Sequence, residues 1–127
     1  MNMADYLEVK AGIGEFRPRG ESTLVEAVDL IAKAVAFCRD RRINKLLVVT
    51  TGLAGVSIPT LIDRFLMVEE WARESKGIVV AALVASPEYI HPQKFGVKVA
   101  EHFGLVADIF TSESDALRWL SNYDPPG

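Results

Sequence analysis

Lys45–Thr60, KLLVVTTGLAGVSIPT, constrains the fold more than any other stretch. Leu46 to Val49 are four apolar residues in a row with no alternation. A strand covered on both faces has this pattern, as strands of parallel sheets do. A loop rich in glycine and hydroxyls follows, and then the start of a helix. Strand ends that lead into helices form the working edge of an open α/β sheet, because free backbone N–H groups point outward there. This loop offers Thr50, Thr51 and Ser57 and no acid, histidine or cysteine.

The remaining pattern repeats the same alternation. Tyr6–Lys10 and Ile13–Arg17 flank Ala11-Gly12, which suits an antiparallel hairpin. Pro18 and Gly20 end it. Thr23 and Glu26 have capping-box spacing, and Leu24, Val28, Ile31, Val35 and Cys38 line one face of a helix running to about Arg42. Leu30 and Phe37 lie off that stripe, with the final helix, through Trp119, as their expected cover. A second helix is expected from Ser57, as N-cap, to about Lys76, with Pro59 in its first turn and Gly77 in a left-handed conformation after it. Leu61, Ile62, Phe65, Val68 and Ala72 form its expected buried stripe. Ile78–Val84 reads as another buried strand, Gln93–Phe103 as a third helix, and Val106–Phe110 as a short last strand. Ser112 and Asp115 cap a final helix over Glu113–Ser121, leaving residues 122–127 as a frayed tail.

This order predicts one domain over residues 1–127, an α/β fold with a mixed, mostly parallel sheet of about five strands and four helices. The 127 residues can bury about two thirds of their unfolded surface. Half are hydrophobic and 24% charged, the profile of a compact soluble chain. A net charge of −3 argues against nucleic acid, which demands a basic face. The cluster Arg39, Arg41, Arg42 and Lys45 falls at a helix C-terminus, where cations complement the dipole. Cys38, the single cysteine, permits no internal disulfide and sits on an apolar stripe as a core residue. No apolar run is long enough to span a bilayer, so a cytoplasmic location without membrane insertion is expected.

The hairpin, the passage VVTTGLAGVSIPTL and the ending VADIFTSESDALRWL resemble the STAS domain, specifically the SpoIIAA-like proteins, over roughly Tyr6 to Leu120. That family includes anti-sigma factor antagonists and uncharacterised bacterial relatives. The resemblance implies a non-enzymatic regulatory module working through protein contacts. In the antagonists the loop after the central strand carries Asp-Ser-Ser-Gly, whose serine is phosphorylated by the anti-sigma kinase. This chain has Ser57-Ile58-Pro59-Thr60 instead, and the acceptor position aligns with Ile58 or Pro59. The usual phospho-switch is therefore not expected. The group is also similar in fold to lipid-carrying domains, which supports a second reading, a binder of a small apolar or anionic ligand.

The chemistry-bearing residues point to no reaction. Gly52 and Gly55 precede a helix but lack the lysine and spacing of either nucleotide fingerprint. The central strand ends Val49-Thr50-Thr51, without the aspartate that a two-component receiver domain needs. His91 has no established partner for acid–base work, and His102 suits a helix C-terminus. No cofactor or metal is implied. Thr50, Thr51, Ser57, Ser86, Tyr89 and Thr111 gather at strand ends, where they serve as caps and turns or line a shallow ligand edge. Met67 and Trp71, four apart on the second helix, point away from its expected stripe and form an apolar pair rimmed by Asp63, Glu70 and Glu74. They are the expected contact patch for a protein partner or a second copy in a homodimer.

Overall fold

The computed structural model describes residues 2–124. A short 3₁₀ turn, Met3–Tyr6, leads into β1 (Leu7–Lys10) and β2 (Ile13–Phe16). The chain continues through β3 (Gly20–Glu21), α1 (Leu24–Asp40), β4 (Lys45–Val49), β5 (Leu53–Ala54), α2 (Leu61–Ser75) and β6 (Val80–Val84). A second 3₁₀ turn, Pro87–Tyr89, precedes α3 (Phe95–His102), β7 (Ala107–Phe110) and α4 (Glu113–Asn122). Five strands form the main sheet in the order β1-β2-β4-β6-β7, with β1 antiparallel to β2 and the other pairs parallel. The expected hairpin is there, its reversal made by Ala11 and Gly12 at positive φ. The pairing of β3 with β5 has no counterpart in the sequence reading; each has two residues, too short for a hydrophobic pattern.

Strand order settles where the helices go. From β2 through β4 and β6 to β7 the sheet grows in one direction, so right-handed crossovers place their helices on one face. Accordingly α1, α2 and α3 share a core with Leu46 and Val48. The other face carries α4, which follows the last strand and is no crossover; Ala116 and Leu120 pack there on Leu47, Val49 and Val84. The apolar run of β4 thus divides between two cores, as its lack of alternation demands.

The ends of α1 follow the sequence. Thr23 Oγ1 accepts from the Glu26 N–H at 3.1 Å and Glu26 returns the bond to Thr23 N–H at 3.2 Å. At the other end Arg39 pairs with Asp40 and Glu74. Cys38 is wholly buried, which pushes its thiol up to about 11. Gly14 in β2 is required by this packing, since a Cβ there would lie 2.9 Å from Cys38 Sγ. Leu30 and Phe37 belong to the core that Met3 and Tyr6 of the N-terminal segment also join, not to the one that holds Trp119. Trp119 lies on the opposite face between Phe110 and Tyr123. Asn122 completes α4 and Tyr123 is half-buried, so these two residues are not part of the expected tail; residues 125–127 lie outside the described residues.

The second helix corrects two expectations. Its N-cap is Thr60, not Ser57: Thr60 Oγ1 accepts from Asp63 N–H at 3.1 Å and Asp63 accepts from Thr60 N–H at 2.9 Å. Its buried face is Arg64, Val68, Trp71, Ala72 and Ser75, while Leu61, Ile62 and Phe65 are exposed. Trp71 is core at 6% exposure, and its Nε1–H donates to the Val28 carbonyl at 3.0 Å. Burying the indole outweighs burying the aliphatic residues because it removes the largest apolar area and still satisfies its one polar atom. Ser75 fits the same face because its hydroxyl and Val79 exchange hydrogen bonds of 3.0 and 3.2 Å. Met67 is half-buried against that core, so Met67 and Trp71 form no outward patch.

Candidate functional site

The loops after β4 and β6 meet at the C-terminal edge of the sheet and are held there by hydrogen bonds. Thr50 Oγ1 donates to the Val84 carbonyl at 2.9 Å. Gly20 N–H donates to Gly52 O and Ser22 N–H to Ala54 O, at 3.1 and 2.9 Å, tying the loop after β4 to the one after β2. The Tyr89 hydroxyl donates to Val56 O at 2.6 Å, and Arg64 Nη1 donates to Tyr89 O at 2.9 Å. The glycine- and hydroxyl-rich stretch is thus a fixed rim. Because the strand order never reverses, the sheet has no switch-point crevice of the kind where doubly wound folds hold nucleotides.

The open space lies under the helices instead. A cavity of about 160 Å³ separates α1, α2 and α3 from the sheet and reaches the C-terminal edge. Small side chains create it. Ala81 of β6, Ala85 just beyond its end and Ala107 of β7 form its floor, and Gly96 and Ala100 contribute from α3. Leu83 shows the consequence: it sits in β6, between β4 and β7, yet is only half-buried, because the cavity opens the sheet surface to solvent.

Four of the six expected edge residues, Thr50, Thr51, Ser86 and Tyr89, line this cavity together. Ser57 and Thr111 are exposed and outside its lining. Four ionisable lining residues were not anticipated as site residues: Arg64, His91, Lys94 and Asp108. Arg64 was legible in principle, since 64, 68, 71 and 75 have helical spacing, but hydropathy alone does not mark an arginine as buried. Lys94 Nζ pairs with Asp108 Oδ1 at 2.8 Å, and the Gln93 N–H donates to His91 Nδ1 at 3.1 Å. The shortest ion pairs among the described residues are elsewhere. Beyond β2, Arg17 joins Glu113 at 2.6 Å and Glu15 at 2.7 Å. The bond to Glu113, above all, raises the Arg17 pKa.

No family model and no curated protein matches this chain. Solved structures do. The anti-sigma factor antagonist SpoIIAA in its unphosphorylated form superposes with a TM-score of 0.51 at 16% identity, over 92% of this chain and 97% of that one. This is the SpoIIAA-like fold. The Thermotoga maritima protein TM1081, for which an anti-sigma factor antagonist role has been put forward, matches in its crystal structure with a TM-score of 0.52 at 14% identity. That match covers 91% of this chain and 93% of the other. Its NMR structure matches with a TM-score of 0.52 at 13% identity, over 92% and 88%.

On the SpoIIAA-like frame, the stretch before α2 holds the sequence difference noted above. Pro59 is buried, Thr60 is engaged as the cap, and Ser57 and Ile58 are exposed. From there an apolar surface continues along α2. Ile58, Leu61, Ile62, Phe65 and Leu66 are all exposed, Ile62 at 71%. Residues 61, 62, 65 and 66 lie on one side of the helix. Phe65 anchors this surface through an edge-on contact with Phe103 of α3, ring centroids 5.3 Å apart.

Proposed function

We propose that this chain is a STAS-like regulatory module that works by protein contact without catalysis, and that it self-associates through the apolar start of α2. The exposed row Ile58, Leu61, Ile62, Phe65 and Leu66 carries this reading. Contiguous apolar surface of this kind marks interaction sites, because covering it with a partner removes it from water. The likeness of fold to anti-sigma factor antagonists supports a regulatory role. The engagement of the Thr50 and Tyr89 hydroxyls with backbone carbonyls supports a structural rather than a nucleophilic duty for both.

Light scattering over a rising concentration series tests the contact. The wild type is expected to form dimers. Ile62→Glu with Leu66→Glu is expected to give monomers whose melting temperature stays within a few degrees, because both side chains are already in water. A wild type that remains monomeric at the highest concentration would sink the homodimer.

The module is proposed to lack the serine switch. Ile58 and Pro59 have no hydroxyl, and the Thr60 oxygen is occupied by the Asp63 N–H. Intact-mass analysis after incubation with anti-sigma-type kinases should show no added phosphate. Stoichiometric phosphate on Ser57 or Thr60 would overturn this. A second reading, a binder of a small ligand at the C-terminal edge, is favoured by the solvent-open apolar cavity beneath Thr50 and Ser86.

A further inference from the structure

Three properties of the cavity narrow what can fill it. The first is shape. Its lining runs from Val79 and Leu105, where β6 and β7 begin, to Thr50 and Ser86, just beyond the ends of β4 and β6. At the rise of a strand, Val79 to Ser86 spans about 23 Å. A volume near 160 Å³ is similar to that of a cavity that holds one benzene, about six carbons, but here it is drawn out along the strands. That volume admits one short alkyl chain and not two.

The second property is polarity. Apart from its mouth, the wall is aliphatic or aromatic, with Ile31, Val68, Trp71 and Leu83 among its members. Water gains little there, and an apolar chain gains most. Gly96 adds to the room, since a Cβ at that position would find its nearest neighbour, Val68 Cγ2, only at 3.7 Å.

The third property is an unpaired cation. Arg64 is 8% exposed, lines the cavity, and among the described residues makes no ion pair. Its guanidinium has five donors, of which Nη1 is used on Tyr89 O. Among the described residues no deeply buried side-chain nitrogen lacks a partner, so its remaining donors reach open space. Most of this side chain is buried while its free donors stay accessible, so the guanidinium can take up an anion without first breaking an ion pair. Lys94 and Asp108 neutralise each other at the mouth, so Arg64 leaves the lining with one net positive charge.

We propose that the cavity binds a single-chain carboxylate of medium length, about six to eight carbons, with the carboxylate on Arg64 and the tail running down over Leu83 toward Val79. The carboxylate supplies the acid that Arg64 lacks, and its planar pair of oxygens matches the guanidinium fork. This inference rests on the ligand-binding reading above and specifies its head group.

Titration calorimetry of the full chain with hexanoate, octanoate and octan-1-ol tests it. Octanoate should bind saturably, one per chain, about fourfold tighter for each methylene gained over hexanoate. Octan-1-ol should bind at least tenfold more weakly. Arg64→Gln should abolish that preference while retaining the alcohol. Ala81→Leu, which fills the floor, should abolish binding of both while keeping the melting temperature at or above that of the wild type. Equal binding of octanoate and octan-1-ol to the wild type would sink the carboxylate assignment and leave the ligand reading standing. Absence of saturable binding of either would sink both. Binding that persists in Ala81→Leu would place the amphiphile on the exposed side of α2 and overturn the cavity site without any need for the Arg64 variant.

Discussion

Trp71→Ala lowers the stability of this protein by about 3–5 kcal/mol and its melting temperature by about 10–20 °C. Two losses add. The indole is buried to 6% exposure among α1, α2 and the sheet, so truncation enlarges an already open cavity whose walls cannot collapse fully. The Nε1 bond to Val28 O also disappears, and with it a polar tie between α2 and α1. Trp71→Phe separates the terms. It keeps most of the apolar area and removes the bond, so it should cost about 1–2 kcal/mol. Denaturant melts of the three proteins decide the matter. An alanine variant within 1 kcal/mol of wild type would mean that the indole lies outside the core.

Leu120→Ala is expected to cost a similar amount, about 3–5 kcal/mol, for a different reason. One helix covers the second face of the sheet. It has ten residues, too few to be stable alone, and its fully buried side chains are Ala116 and Leu120. Deleting the isobutyl group leaves α4 held by Ala116, the half-buried Leu117 and Trp119, and the Arg17–Glu113 pair at its first turn. That pair is more than a third exposed on both sides and contributes little on its own. Undocking of α4 should therefore precede global unfolding. Hydrogen exchange should show amides of residues 113–122 losing protection selectively, while those of β4 and β6 retain theirs. Uniform loss of protection across both cores would instead show that the sheet and α4 form one cooperative unit.

Much of the fold was legible because each element carries its own local signal. The unbroken apolar run of β4 announced a strand covered on both faces, the Thr23–Glu26 pair announced the start of α1, and Ser112 announced α4. The hairpin could be placed from the two runs flanking Ala11-Gly12, since glycine tolerates the positive φ that such a turn requires. The two-residue pairing of β3 with β5 was not legible, because nothing in four residues reports a partner more than thirty positions away. The α2 stripe was read one residue out of phase for a related reason. Leu61, Ile62 and Phe65 are as hydrophobic as anything in the core, and only the neighbouring surface of α1, with a carbonyl waiting for the Trp71 N–H, selects the other phase.

The sequence by itself determined the four helices and the five strands of the main sheet, their order, the mixed α/β class and the hydroxyl-rich edge, since these follow from periodicity, capping and turn chemistry along the chain. Only the tertiary structure decided which side of α2 meets water, that three helices share one face and α4 the other, and that alanines and a glycine from separate segments coincide. A cavity is missing volume between elements far apart in sequence, and an arginine lines it without an ion pair only when every acid has packed somewhere else. Neither is a property of any stretch of residues, so both waited on the packing.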